Sequence, residues 1–584
     1  MGWIMHNKKV AEILRWVGEL LEIKGENPFK VRAYYKAAEK VAHLGEDVAQ
    51  FAARGALTGI PGIGKDLAAK ITEIIETGKL EYYERLTEEI PPGILQLLAV
   101  PGIGPKKALA LFKELNVRSL EDLEAAAKSE KIRHLKGFQE RTEKNILRGI
   151  ESARRSRARH PIGEMLPFAM ALVEALRRRA PAHRVELAGS LRRRKDTVKD
   201  IDILAASGRP EEVIEVFLSL PVVETVLARG TTKCSISAHN GVQVDLRVVP
   251  VEVFGAALCY FTGSKEHNVR IRQRAIDLGL KVSEYGVFRD DKRIAGETEE
   301  SVYAALGMSY VEPELREDTG EIEAALAHDL PALIKPSDLK GDFHVHSAYS
   351  DGTSSLEEIA RKARALNYEW VAVCDHSQSL RLARGLTTED LRAKLAAIRQ
   401  FNASSRDIKL LCGAEVDILP DGSLDYPDEI LVQMDFVLAA VHSAFRLDRE
   451  RMTHRLLSAV RHPLVHSLAH PTGRILGQRE PYDADITAVL DAAASTGTFL
   501  ELNAYPNRLD LNDVHCRAAR DKGVLITIGS DAHTSEQMEL MPFGISVARR
   551  GWLGPAHVVN TRSYAEIAAI LQDAKKLQFG NNSL

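Results

Sequence analysis

Cysteine is scarce in this sequence: five residues in 584, namely Cys234, Cys259, Cys374, Cys412 and Cys516, scattered and without a CxxC pair. An odd, dispersed set argues against a disulfide framework and a thiolate zinc site, and it suits a reducing cytoplasm. No apolar run approaches the roughly twenty residues a membrane-spanning helix needs, so no membrane partner is expected. The opening MGWIMHNKKV puts charge where a signal peptide needs an apolar run, and His6 stands where a myristoylation signal needs Ser or Thr. A strong net charge is also missing. The formal value is −3, with 45% hydrophobic and 27% charged residues, as in an ordinary folded chain. The charge is nevertheless uneven. Residues 131–160 hold ten Lys or Arg against three acidic residues, and residues 177–199 hold nine against two. Such runs point to a polyanionic partner. The length exceeds what one core holds, and about three or four domains are expected.

Residues 1–150 read as short helices joined by glycine turns, with an internal repeat: TGIPGIGKDLAAKI (58–71) recurs as LAVPGIGPKKALAL (98–111). From about 155 to 310 the pattern is mixed, with strands at VELAGS, DIDILAA and VQVDLRVV. Residues 311–338 are rich in proline and acid and read as a linker. Beyond them strand and helix alternate about seven times over some 240 residues, which predicts a parallel sheet, closed or open, and fits a barrel better than an open sheet.

Nearly every strand of that second half ends on a metal-ligand type: His344 and His346, His376, Glu415, His442, His470, and the pair Asp531 and His533. In parallel βα barrels the carboxyl ends of the strands share one face. Residues i and i+2 of a strand point the same way, so HxH and DxH each offer two ligands together. With Asp351 the set suffices for a cluster of two or three ions, and its mixed chemistry suits zinc, manganese or iron. The motifs DFHVHSAYSDG, CDHS, GAEVDI, AVHS, AHPTGR and GSDAH resemble, in order and spacing, those of the PHP (polymerase and histidinol phosphatase) domain over about 339–575. The resemblance implies a distorted (βα)7 barrel with three divalent ions, Zn²⁺ and/or Mn²⁺, that cleaves phosphoesters. One ion would take His344, His346, Glu415 and Asp531; a second would share Glu415 with His442 and His470; the third would take Asp351, His376 and His533. It further implies a bridging hydroxide as the attacking group. Arg384 and Arg474 follow ligand motifs and are candidate phosphate clamps.

In GSLRRRKDTVKDIDIL, Asp200 and Asp202 share one strand face while Ile201 and Ile203 face the core. Asp245 lies on the polar face of VQVDLRVV. Three carboxylates on adjacent strands can hold two Mg²⁺ or Mn²⁺ ions about 4 Å apart for in-line phosphoryl transfer. The Gly189–Ser190 turn and Arg193 would cradle a triphosphate. With CYFTGSKEHNVRIRQRA downstream and the two PGIG repeats upstream, residues 1–318 resemble a family X DNA polymerase of the polymerase beta type. That resemblance implies Asp200, Asp202 and Asp245 as metal ligands and Asp245 as the base at the primer 3′-hydroxyl. Tyr260, Phe261 and Gly263 would lie at the incoming dNTP, Asn268 at its base, and Arg272 in the template minor groove.

The PGIG repeats resemble helix-hairpin-helix motifs, with Gly62, Gly64, Gly102, Gly104 and Lys106 at DNA phosphates and, in the family, K⁺ or Na⁺ held by main-chain carbonyls. Lys70 falls at the family's Schiff-base lysine, and Lys30 and Tyr34 also match. However, Phe29, Thr58 and Asp66 stand where the eukaryotic pattern has a histidine and two lysines, so weak or absent lyase activity is expected.

Together the readings give a multidomain fold. It comprises a helical DNA-binding segment with the first hairpin (1–85), a fingers-type segment with the second (86–152), an α+β nucleotidyltransferase palm (153–255), a thumb (256–318), a linker (319–338) and the PHP barrel (339–575). The implied function is a cytoplasmic, nucleoid-associated, monomeric repair polymerase that fills gaps in primed or gapped duplex DNA and trims 3′ ends. The alternatives are a purely structural barrel, or a small-molecule phosphatase tethered to nucleic acid.

Overall fold

The computed structural model describes residues 2–579 except 43, 45–47, 61, 92–93, 95–96, 98–99, 101–102, 136–137, 140–141, 144–145, 148–149 and 151–158. The N-terminal part is helical. Its first helix, Gly2–Lys24, carries Val10, Leu14, Val17 and Leu21 at helical spacing, all buried, and ends at Gly25 in the left-handed region. Helices Pro28–Ala42, Lys65–Thr77 and Pro105–Leu115, with shorter ones at Val48–Ala53, Glu81–Glu89 and Leu120–Lys128, share with it a core separate from the rest of the chain.

The middle of the chain forms a five-stranded sheet in the order Arg184–Leu187, Asp200–Ala206, Gln243–Val249, Lys233–Ala238, Val223–Arg229. Its second and third strands run parallel and set Asp202 opposite Asp245. Ile201, Ile203, Val244 and Leu246 are buried beneath them, as period-2 alternation demands. Helices Phe254–Thr262, Lys265–Asp277 and Glu299–Ala305 follow, with a three-stranded antiparallel sheet between the last two.

The segment expected to be a linker is instead packed. Residues Glu321–Leu326 form a helix whose Ile322 and Ala325 join the core of the preceding helices, together with Leu333 and Trp552. The buried Glu321 carboxylate accepts the backbone N–H groups of Asp318 and Thr319 and lies 2.7 Å from His267 Nδ1. Pattern alone misleads here because a buried Glu that satisfies a turn looks the same in sequence as a solvated one.

The C-terminal part is a barrel of seven parallel strands: Gly341–Val345, Trp370–His376, Lys409–Asp417, Phe436–Ala440, Ser467–Leu468, Phe499–Asn503 and Ile526–Gly529, adjacent in sequence order. The bridge between Val345 and Ala532 closes the first strand region onto the last. Apolar side chains of the middle sheet and of the barrel belong to one continuous core.

Candidate active sites and metal centres

The barrel gathers its histidines at one end. His344 lies within the first strand, His376 closes the second and Glu415 lies in the third; His346, His442, His470, Asp531 and His533 follow their strands within four residues. Glu415 is central. Its Oε1 lies 2.9 Å from His470 Nε2 and 3.2 Å from His442 Nε2, and its Oε2 lies 2.8 Å from His376 Nδ1 and 3.5 Å from His344 Nε2. Asp351 Oδ2 lies 3.3 Å from His533 Nε2 and 3.5 Å from His376 Nε2. Asp531 Oδ1 lies 3.2 Å from His346 Nε2. Donor atoms within 4.8 Å of one another form three groups: His346 with Asp351, His376 and His533; His344 with His346 and Asp531; and His376 with Glu415 and His442. His346 and His376 thus each serve two groups, a sharing that the motif assignment did not contain.

The donor set fits cations. His346 Nδ1, His376 Nδ1, Glu415 Oε2 and His470 Nδ1 are buried without a hydrogen bond, and His344 Nε2 faces His346 Nε2 at 3.1 Å. Buried polar atoms rarely lack a partner, and Glu415 Oε2 and His376 Nδ1 are close without the alignment of a hydrogen bond. Burial, aided by the neighbouring His376, pushes His346 down to about 4; burial and Arg508 do the same to His470. Neutral imidazole is the form that ligates. At His376 burial is outweighed by Glu415 and Asp351, and the ring rises to about 10, so without a cation it holds a proton that metal would displace.

Supporting groups aim these ligands. Glu501 Oε1 lies 2.6 Å from His344 Nδ1, and its other oxygen accepts the His470 N–H at 2.7 Å. Asp417 Oδ1 lies 2.6 Å from His442 Nδ1, and Asn503 donates to Asp531. Such partners fix tautomer and ring orientation. A cavity of about 350 Å³ opens onto Asp351, His376, Glu415, Asp531 and His533. The guanidinium lining it is that of Arg508, with Nε 3.3 Å from Asp531 Oδ2. Arg474, a candidate clamp, is turned away: it donates to the carbonyls of Arg508 and Leu509 and to Asp196, in the loop that leads to strand Asp200–Ala206. Arg384 is exposed in the left-handed region at the rim, with Nη2 3.5 Å from the Gly352 carbonyl.

In the middle sheet, burial first and then Asp200 and Asp245 push Asp202 up to about 7, and Asp200 rises by burial and Asp245. Such crowding of carboxylates calls for cations, and oxygen-only donors suit Mg²⁺ or Mn²⁺. Ser235 and Gln243 donate to Asp245. Gly189, at φ 60°, presses on this group, and a Cβ there would collide with Asp202 Oδ2. Ser190 follows in the same short helix.

The family model described as DNA polymerase beta thumb matches residues 257–317, and that described as PHP domain matches 342–505. Helix-hairpin-helix domain and SAM-like helix-hairpin-helix tandem models match 5–80 and 94–152. The chain is 39% identical over 575 residues to the DNA polymerase/3′-5′ exonuclease PolX of Bacillus subtilis (strain 168), which covers 97% of this chain and 100% of that relative. The chain belongs to the PolX family. DNA polymerase lambda of Rattus norvegicus is 26% identical over 352 residues, 53% of this chain and 56% of its own length. A probable phosphatase of Thermoanaerobacter sp. (strain X514) is 27% identical over 246 residues, 40% of this chain and 95% of its own. PolX membership brings DNA binding and divalent metals with it.

In this PolX chain Tyr260 and Phe261 end the first thumb helix edge to face at 5.1 Å, with the Arg247 guanidinium 4.4 Å from the Phe261 ring. Gly263 terminates that helix in the left-handed region. Asn268 Nδ2 donates to the Tyr260 carbonyl at 2.7 Å, and Arg272 is exposed on the next helix. Arg193 is tethered. It donates to the Thr262 carbonyl and to Glu317, and Glu317 in turn accepts from Arg550 of the barrel, which also donates to the Arg193 carbonyl at 2.8 Å. Arg194 sits at φ 57°, a conformation that suits glycine.

The hairpins of this PolX chain are built alike. Gly64 and Gly104 cap helices Lys65–Thr77 and Pro105–Leu115, Gly62 has φ 92°, and a Cβ on Gly64 or Gly104 would meet nothing within 4 Å. Backbone N–H groups at those helix starts are therefore open to an anion. Gly102 and the Lys106 side chain lie outside the described residues. Lys70 is ion-paired with Asp66 and lies 5.5 Å from the Tyr82 ring, where Lys30 also approaches at 5.6 Å; Tyr34 is buried against the same ring.

Sequence reasoning missed Glu501, Asp417 and Arg508. Asp417 stands two residues after Glu415 on one strand, the same i, i+2 signal that marks HxH. Arg508 lies in a loop with no periodicity to betray it.

Proposed function

We propose that the chain is a gap-filling DNA polymerase of repair whose barrel removes nucleotides from DNA 3′ ends, the two activities residing in separate sites. It is an enzyme of the DNA polymerase/3′-5′ exonuclease kind, given its identity to the Bacillus subtilis PolX over nearly its whole length. The observation that carries the division of labour is the presence of two distinct donor sets, carboxylate-only on the middle sheet and histidine-rich in the barrel.

In the polymerase site, the Gly189–Ser190 turn and the tethered Arg193 bind the dNTP triphosphate, and Asp245 takes the proton of the primer 3′-hydroxyl. Asp200, Asp202 and Asp245 would hold Mg²⁺ or Mn²⁺. Tyr260, Phe261 and Gly263 receive the sugar, Asn268 the base, and Arg272 the template strand. In the barrel, the nine ligand residues would hold three ions, Zn²⁺ and/or Mn²⁺, which supply Lewis acidity and water that ionises near neutral pH. Arg508 faces the same cavity and neutralises the phosphate; Glu501 and Asp417 keep the imidazoles oriented. Gly62, Gly64, Gly102, Gly104 and Lys106 grip the DNA backbone, with K⁺ or Na⁺ at the hairpin carbonyls. The pairing of Lys70 with Asp66 supports weak or absent lyase activity. A monomer working on chromosomal DNA belongs in the cytoplasm with the nucleoid; among the described residues no helix is long and apolar enough to cross a membrane.

The test is a labelled primer bordering a one-nucleotide gap, in Mn²⁺, with and without dNTPs. Extension should vanish only in Asp202→Ala and shortening only in His344→Ala. If no variant changes shortening, or wild type shows none, the barrel assignment fails.

A further inference from the structure

The barrel cavity has two unlike walls. One is charged: Asp351, His533, Asp531 and Arg508. The other is apolar: Leu380, Leu382 and Ala383. Leu382 is 99% exposed, so almost its entire surface is available to a ligand. A single exposed leucine needs no explanation. A leucine, with two apolar neighbours, forming a wall of a metal-donor cavity is different, because a phosphate group has no use for it.

The turn that carries Leu382 is held firmly against the metal donors. It is a short 3-10 turn, Arg381–Ala383, leading to Arg384 in the left-handed region. Just before it, the Ser379 hydroxyl donates at 2.5 Å to Asp417, the carboxylate that also orients His442, and the Ser379 N–H donates to Asp425. Just after it, the Leu386 N–H donates at 2.9 Å to the carbonyl of His376. Both anchors thus run to the metal-donor cluster. Arg381 and Arg384 flank the leucine and are exposed.

A ligand that matches both walls carries a phosphodiester at one end and a flat apolar face about one residue away. Nucleotides have that form, and about 350 Å³ is room for one nucleotide and not for a paired duplex end. Apolar side chains, leucine among them, act on DNA as wedges that unstack a base step. We propose that Leu382 is such a wedge. It separates the 3′-terminal base from its neighbour so that the terminal phosphodiester reaches the donor cluster, while Arg381 and Arg384 hold the backbone behind it. This rests on the barrel acting on DNA 3′ ends.

The experiment compares full-length wild type with Leu382→Ala and the conservative Leu382→Met on two substrates, a paired 3′ end and a mismatched 3′ end. The alanine variant should shorten the paired end about tenfold more slowly, by the scale of a leucine's partly lost apolar contact. It should lose less on the mismatched end and leave gap extension unchanged, and methionine should restore most of the loss. A 2-aminopurine at the 3′ end should brighten on binding wild type, as it unstacks, and not on binding the alanine variant. Equal shortening of paired ends by wild type and Leu382→Ala, or equal brightening, would overturn the wedge. An equal loss on gap extension or on both kinds of end would overturn it too, showing that the turn merely supports the fold. Absence of shortening in wild type itself would instead overturn the barrel's assignment to DNA.

Discussion

Asp202 offers the sharpest physical test, because the residue assigned to catalysis should also destabilise its own sheet. Its carboxyl is raised from 3.8 to about 7, first by burial and then by Asp200 and Asp245. That rise corresponds to about 4 kcal/mol between protonated and ionised forms. The folded carboxyl keeps a proton that the unfolded chain releases, so stability falls as pH rises from about 4 to about 7. In chelator at pH 8, Asp202→Asn should therefore stabilise the palm by about 2–4 kcal/mol; at pH 4 the two proteins should match. Added Mg²⁺ should shrink the difference, since cations neutralise the wild-type carboxylates. A chain of several domains does not unfold in one step, so the readout is amide exchange in strands Asp200–Ala206 and Gln243–Val249, which reports local opening. Wild type and variant are compared at each pH. Equal or weaker protection in the variant at pH 8 would refute the reasoning, whatever its effect on primer extension.

Other outcomes follow from named contacts. Glu501→Gln should slow 3′-end shortening about 10–100-fold while leaving extension intact, read in the gapped-primer assay. Arg550→Met removes the guanidinium paired with Asp513 at 2.5 Å and one of the two arginines on Glu317, which keeps Arg193, and should destabilise the contact between middle sheet and barrel by about 3 kcal/mol. It should also raise the KM for dNTP more than it lowers kcat, since the Arg193 carbonyl loses its donor; steady-state gap filling separates the two. Arg194→Gly should slow amide exchange in strand Asp200–Ala206, relieving about 1–2 kcal/mol of left-handed strain and a buried guanidinium nitrogen without a hydrogen bond. Borohydride treatment with a 5′-deoxyribose phosphate end should leave no covalent DNA adduct on Lys70; a strong adduct would show that Asp66 does not suppress the lysine.

Much of the fold was legible because its signals are local. Alternation alone puts Asp200, Asp202 and Asp245 on one polar face, with isoleucine, valine and leucine beneath. Histidines at the ends of successive strands must converge in a parallel barrel, whatever the loops do. Proline and acid signal an exposed linker after the thumb only when the acid is solvated, and Glu321 is buried against backbone N–H groups and His267. Arg474 was read as a clamp because it follows a ligand motif, yet its guanidinium is consumed by two carbonyls and Asp196.

The sequence by itself determined the order of the domains, the strands and helices of both catalytic parts, and the chemistry of each donor set, since these depend on neighbours a few residues apart. Tertiary structure decided what lies across space: Glu501 behind His344, 157 residues away; Arg508 in the cavity while Arg474 holds its carbonyl; and Arg550 bound to the carbonyl of Arg193, 357 residues away. No periodicity encodes such pairs. They exist because a buried charge must find a partner wherever folding brings one.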